Sequence, residues 1–455
     1  MEMTLNPIAE QKHRKFWGKI DYRTVWRWHF YAGLIAIPFV LLLSISGSIY
    51  LFRPQIEAWL DRPHDSLTDA LPRQAPSAIV KAAVAAVPGS SLNALELPDA
   101  ETDAARVLLN TPEGVRRVYV HPRTLAVLSS VLEQSRPMRW IFRLHGELLI
   151  GNVGSYIVEI AASWTIVLIL TGLWLWWPRN REGWGGVLYP RIRGGSRTMW
   201  RDLHGVTGFW ISALVLLLLF SGLPWAKFWG DYFRFVRTSL NGGPVKQGWT
   251  NGAAVAMEGM DMPEMGGMHG MSHEAGFDNA ALDRVYLTAT TLEMASPVQI
   301  KPPARVGADW GVESQAANRP LRAEVKLDSD GRVLTRSGFS DKSLADKIVG
   351  VGIAWHEGQL FGWLNQLLGV TAAAGLILIC LSAIVLWWRR RPTGLLGAPP
   401  PAEGRRGAGA VTLATVGLGI VLPLFAMTLL AVWSLEAGVL RRFGPTRRWL
   451  GLRPA

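Results

Sequence analysis

Four histidines stand at or near the starts of long apolar stretches: His29, His145, His204 and His356. Local spacing sorts them into two pairs. His29 and His204 are each followed by Gly at four residues (Gly33, Gly208) and by Ser-Gly at 17 and 18 (Ser46-Gly47, Ser221-Gly222). His145 and His356 are each followed by Gly at six (Gly151, Gly362) and by Trp-Trp at 31 and 32 (Trp176-Trp177, Trp387-Trp388). A neutral imidazole is a good axial ligand for haem iron, and an ionisable group in a membrane helix is rare and usually functional. One such histidine alone reads as an interfacial polar residue. Four, matched by spacing, read as ligands. The register assigns His29 with His204 to one bis-histidine site and His145 with His356 to another, hence two b-type haems. Gly33 and Gly208 lie one helical turn beyond their histidines on the same face, leaving room for a porphyrin edge. Arg27, Arg201, Arg139 and Arg143 are candidate propionate partners, because a guanidinium matches carboxylate geometry. A bis-histidine site leaves little room for substrate at the iron, which favours electron transfer over oxygen chemistry.

Other polar groups fit around these. Glu147, Glu357 and Asp202 flank the histidines and could orient them, or be solvated interfacial acids. Glu159, inside an apolar run, reads equally as a proton relay or as a structural hydrogen-bond acceptor. His13, His64 and His121 have no matched partners and read as surface residues. A second constellation lies at 257–273, which holds six of the twelve methionines (Met257, Met260, Met262, Met265, Met268, Met271) with His269 and His273. Thioethers and imidazoles suit Cu(I); a linker of biased composition is the plainer reading. The single cysteine, Cys380, excludes an intramolecular disulfide, covalent C-x-x-C-H haem attachment and Cys-ligated iron–sulfur clusters. It reads as a small packing residue.

The elements that must position these groups are membrane helices. Of 455 residues 49% are hydrophobic and 18% charged. Five apolar stretches are long enough to cross a bilayer: 29–52, 144–177 with an interfacial start, 204–226, 356–388 and 410–435. The net charge of +12 needs no nucleic acid, since arginine clusters flank membrane helices. Residues 1–28 hold six Lys and Arg, 178–203 six and 389–409 five, so these segments are expected on the cytoplasmic side. The N-terminus lacks a cleavage site and reads as leading into an uncleaved first span. Five crossings place the basic tail 436–455 outside, against the charge rule.

Between the spans lie segments 53–143 and 227–355, each read as a small α+β module. The first has a helix at 78–87 and strand-like runs at 92–97, 106–110, 116–121 and 125–131. The second has a helix at 282–292 and runs at 298–301, 310–314, 321–327 and 332–336. The expected fold is mainly α: a duplicated helix–α+β–helix unit plus a fifth C-terminal helix.

The chain resembles the PepSY-associated transmembrane helix family, often called iron-regulated membrane proteins, over roughly residues 20–390. The likeness is carried by Trp28-His29-Phe30-Tyr31-Ala32-Gly33, Leu144-His145-Gly146-Glu147-Leu148-Leu149-Ile150-Gly151, Thr171-Gly172-Leu173-Trp174-Leu175-Trp176-Trp177-Pro178 and Leu203-His204-Gly205-Val206-Thr207-Gly208. The resemblance implies PepSY modules on the periplasmic side of a bacterial inner membrane. It also implies bis-haem electron transfer to a periplasmic ferric siderophore, with His29, His204, His145 and His356 as ligands. No nicotinamide or flavin motif occurs in the short loops, so the donor is expected to be a quinol, another protein or a small reductant. The methionine-rich insert and the fifth helix depart from the simplest family pattern and keep two alternatives open. One is a copper-handling membrane reductase; the other is a non-redox PepSY sensor or assembly protein.

Overall fold

A computed structural model describes residues 21–68, 71–178, 183–244, 249, 251, 278–305, 307–400 and 408–452. In chain order the elements are α1 (Tyr22–Leu51), α2 (Arg53–Asp61), α3 (Pro76–Ala86), β1 (Ser91–Glu96), β2 (Ala105–Thr111), β3 (Gly114–Val120), β4 (Val127–Leu132), α4 (Pro137–Glu147), α5 (Asn152–Trp176), α6 (Ser196–Gly222) and α7 (Lys227–Asn241). There follow α8 (Asn279–Thr291), β5 (Val298–Lys301), β6 (Trp310–Ser314), β7 (Ala323–Leu327), β8 (Val333–Gly338), α9 (Leu344–His356), α10 (Trp363–Arg390), α11 (Ala408–Val421), α12 (Pro423–Leu435) and α13 (Gly444–Leu450). They form two compact units: Met1–Ser48, His145–Gly243 and Leu367–Ala455 in one, Ile49–Leu144 and Pro244–Gln366 in the other.

The first unit is helical. Among the described residues five helices are long and apolar enough to cross a membrane: Tyr22–Leu51, Asn152–Trp176, Ser196–Trp225, Trp363–Arg390 and Pro423–Leu440. The first four have 25 to 30 residues, or about 38–45 Å at 1.5 Å per residue, enough for the roughly 30 Å hydrocarbon layer. The second and fourth spans start later than the sequence reading placed them. Leu148 (φ 49°), Leu149 (φ 62°) and Gly151 (φ 66°) turn the chain through the left-handed region between α4 and α5, a conformation rare for leucine. His145 therefore belongs to α4. In the same way His356 is the last residue of α9, seven positions before α10 begins.

Residues 410–435, expected as one helix, are two. Pro423 has no N–H to continue α11 and restricts the residue before it, so the chain turns at Leu422 (φ −126°, ψ 76°). A methyl on Gly419 would lie 3.0 Å from Ala426 Cβ, so the two helices meet closely at the corner. The far end is tied down: Trp229 Nε1 donates to Val421 O (2.9 Å) and Tyr232 OH to Ile420 O (3.1 Å). The chain then comes back. Leu396 N donates to Trp449 O (3.0 Å), Arg27 to Pro399 O (2.6 Å) and Tyr31 OH to Leu450 O. The basic tail thus returns to the end of the bundle from which residue 396 departs. This removes the conflict with the charge rule that a single fifth crossing creates.

The second unit is an α+β structure, and here the expectation of two separate modules is corrected. The strands form one eight-stranded antiparallel sheet in the order β4-β3-β2-β1-β5-β6-β7-β8. Each half repeats helix, then four-stranded meander. The halves join where Leu95 faces Ile300 and Glu96 faces Gln299. Alternation explains the packing: Ala105, Val107 and Leu109 of β2 are buried in one cluster with Ile79, Val80 and Ala83 of α3 and Leu282 and Val285 of α8. Ser77 of α3 donates through N and Oγ to Asp283 of α8 (2.8 and 2.7 Å), linking the helices. On the opposite face of the first half, Arg106, Arg117 and Arg136 are paired with Asp61, Asp65, Glu96 and Glu133. Because these charges are largely buried, removing a single partner is far more costly than the pair's net contribution. Burial opposes ionisation of Glu133, but Arg117 and Arg136 overcome it and hold its carboxyl below the ordinary value. Burial pushes the Tyr119 phenol up to about 12.

Candidate functional site

His29 is the eighth residue of α1 and His204 the ninth of α6. Four spans build their surroundings. The His29 Nδ1 lies 3.0 Å from Thr171 Oγ1 of α5. The Thr171 hydroxyl itself donates to Val167 O, four residues back in its own helix (2.7 Å). With that proton on the carbonyl its oxygen accepts from His29 Nδ1, and Leu168 O is a further backbone acceptor for the same ring. The His204 Nδ1 lies 3.1 Å from Ile379 O and 3.2 Å from Ser382 Oγ of α10. A carbonyl can only accept, so His204 too carries its proton on Nδ1. Both Nε2 lone pairs are thereby left for a ligand.

The two rings stand perpendicular, with centroids 6.2 Å apart. Two imidazoles on opposite sides of one metal ion, with metal–nitrogen bonds of about 2.0 Å, have centroids about 6 Å apart. The spacing fits one shared metal. A methyl on Gly172 would come within 3.2 Å of His29 Cε1, so the glycine lets α5 lie flush against that ring. Trp176, stacked on Phe209 at 4.2 Å, has a buried Nε1 without an acceptor among the described residues. Its Cδ1 would be 3.4 Å from a methyl on Gly205, the residue after His204.

His145 lies in a second layer at the other end of α1. Its Nδ1 is 3.0 Å from Ser46 Oγ, whose hydroxyl donates to Leu42 O (2.8 Å). The polarity is the same: Ser46 accepts and His145 donates. A methyl on Gly47 would lie 3.0 Å from His145 Cε1. His29 and Ser46 are 17 residues apart on one helix, about 26 Å along its axis. His356 closes α9 in the other unit, next to the buried Glu357.

The structure brings His29 and His204 together as the spacing predicts. Other candidates have different neighbours. Gly33 and Gly208 face Leu168 and Ile379 at 3.8 Å from an added methyl; the glycines against the histidine rings are Gly172 and Gly47. Arg27 donates to Pro399 O and to Tyr31 OH (3.1 Å). Arg201 is paired with the buried Asp202 (2.9 Å), which Arg191 also grips at 2.7 Å. Arg139 and Arg143 lie on α4, six and two residues ahead of His145. Glu159, 2% exposed, accepts from Phe228 N and Trp229 N (3.1 Å each). It is an acceptor for the first turn of α7, the structural one of its two readings. His121 is not a surface residue: it is buried, and its Nδ1 accepts from Arg123 N and Thr124 N in a turn (3.2 and 3.3 Å). Cys380 is buried against Ala36 and Val40, as a packing residue should be. Met257, Met260, Met262, Met265, Met268, His269, Met271 and His273 lie outside the described residues.

Apolar spans bearing paired histidines, together with an antiparallel α+β unit, define a multi-pass membrane protein. The family model described as PepSY-associated TM region matches residues 26–390. The chain belongs to that family. No curated protein matches it.

Proposed function

We propose that this is a haem b protein of the bacterial inner membrane that carries electrons across the bilayer and reduces a ferric siderophore or related Fe(III) chelate on the periplasmic side. The observation that carries the reading is the His29–His204 pair: two imidazoles with ring centroids 6.2 Å apart, set on spans with no Asp, Glu, Lys, Arg or further His between His29 and Leu51 or between His204 and Gly222. These two histidines would hold one haem. The Trp176 Nε1–H, buried without an acceptor among the described residues, would be the donor for a carboxylate of that group. Bound between two histidines, haem exchanges single electrons and offers no open position to substrate. The protein's own part is to keep Nε2 unprotonated, fix both rings and exclude water with the Trp176–Phe209 stack and surrounding apolar side chains.

The second haem is assigned to His145 and His356 by sequence register alone, which also motivates reading the chain as a duplicated unit. The ferric substrate, periplasmic orientation and quinol or protein donor rest on the family resemblance. Reduction releases iron because Fe(II) is a poorer match than Fe(III) for hard oxygen chelators.

An absorption spectrum of detergent-purified protein tests the core of this. The expected result is a Soret band with two haems per chain, and loss of one in His145→Ala with the other retained. Folded protein produced with haem in excess that shows no Soret band refutes it and leaves a non-redox PepSY role. A second reading, copper reduction, is favoured by the Met/His run at 257–273. Faster reoxidation of the reduced protein by Cu(II) than by ferric siderophores would select it.

A further inference from the structure

Three of the four histidines share a device that haem ligation alone does not require. Each Nδ1 meets a side-chain hydroxyl from another helix: Thr171 for His29, Ser382 for His204, Ser46 for His145. Each hydroxyl is also within donating distance of a carbonyl of its own helix, Val167 O (2.7 Å), Ile379 O (2.9 Å) and Leu42 O (2.8 Å) respectively. Back-bonding of this kind is common for Ser and Thr in helices. A hydroxyl bonded in this way presents its oxygen to the ring as an acceptor and is polarised toward it. Thr171 and Ser382 also occupy one register position: each stands five residues before the first tryptophan of its Trp-Trp pair.

We propose that Thr171, Ser382 and Ser46 are positioning residues that lock the Nδ1–H tautomer of their histidines and raise the donor strength of Nε2 toward a ligated iron. Drawing the Nδ1 proton outward makes the ligating nitrogen more basic. A more basic ligand favours Fe(III) over Fe(II) and so lowers the reduction potential. Each of these rings also meets a backbone carbonyl, Leu168 O for His29 and Ile379 O for His204, so Thr171 and Ser382 each share their histidine with a carbonyl. The inference rests on the haem reading, and the test separates the two.

The test is a spectroscopic redox titration of full-length protein in detergent, with haem per chain quantified. Thr171→Val, nearly isosteric, should keep its haem while one of the two components becomes more positive. A tenfold loss of preference for Fe(III) corresponds to about 59 mV for one electron. Thr171→Ser should restore the wild-type value. Ser382→Ala should move the same component in the same direction, and Ser46→Ala the other component. Haem-replete Thr171→Val with wild-type potentials overturns the inference. So does movement of one component by both Thr171→Val and Ser46→Ala. Should Thr171→Val fail to fold, Ser382→Ala and Ser46→Ala decide the matter, and unmoved potentials in both overturn it. Absence of haem from the wild-type protein overturns both readings; haem with unmoved variants overturns this one alone.

Discussion

Glu159 offers a test of the helical unit that is independent of any cofactor. The first turn of α7 has no side-chain cap of its own at Ala226. Its amides are met by α5 instead: Lys227 N by Ser155 Oγ (3.1 Å), Phe228 N and Trp229 N by Glu159 Oε2. Glu159→Ala leaves two N–H groups without an acceptor in buried surroundings. Each costs about 1–3 kcal/mol, so α7 should open more easily by about 2–6 kcal/mol. At about 1.4 kcal/mol per factor of ten, protection of its amides against hydrogen exchange should fall by about 30-fold to 10⁴-fold. Glu159→Gln keeps an acceptor oxygen and loses only the attraction of a carboxylate for the helix N-terminus, at most about 2 kcal/mol, or roughly 30-fold. Exchange mass spectrometry on peptides spanning 227–241 measures both. Equal losses in the Ala and Gln variants would refute the capping argument in favour of a purely electrostatic one. Wild-type protection in Glu159→Ala would refute the contact itself.

Two further expectations follow from other features. Because the Glu133 carboxyl is held below its ordinary value of 4.5 by Arg117 and Arg136, its pairing stabilises fully above about pH 4.5 and is lost as pH falls through the lower folded value; Glu133→Gln should lower the melting temperature at pH 7, with a difference that shrinks in acid, and a constant difference from pH 7 to 3 would contradict it. The return of the C-terminal tail predicts that Arg448→Cys and Thr393→Cys react with an impermeant thiol reagent from the same side of the membrane, the native Cys380 being buried; labelling from opposite sides would exclude the fold-back at Pro423.

Much of this was legible in the sequence because the signals were local. Alternating apolar residues marked the strands within one or two residues, as at 298–301 and 310–314. Matched spacing found the His29–His204 partnership. The failures share a cause, which is that the deciding partner lies far away in the chain. Alternation says that β1 and β5 are strands but not that Leu95 will face Ile300, so one sheet was read as two modules. An arginine beside a candidate ligand looks available until Asp202 and Pro399 O are seen to hold Arg201 and Arg27. Thr171 and Ser382 look like ordinary helix residues, because back-bonding to a carbonyl leaves no trace in hydropathy. Leu148 and Leu149 carry no turn signal at all. Pro423 did carry one, and there the length of the apolar run outweighed a breaker that wins locally.

The β1–β5 seam has a consequence for how the chain is made. Its two strands lie on either side of α5 and α6 in sequence, so they can meet only if the chain crosses the bilayer an even number of times between residues 97 and 297. Leu396 and Trp449, on either side of α11 and α12, likewise meet at one end of the helical unit. Until residue 301 has been synthesised, β1 remains an open edge whose backbone groups can pair with any strand they encounter. Closure of the sheet is therefore a check on topology: a chain in which one of the intervening spans fails to insert places β5 across the membrane from β1 and cannot complete its sheet. Chains stopped before β5 should be recognisable by that unsatisfied edge, as species prone to strand-mediated association.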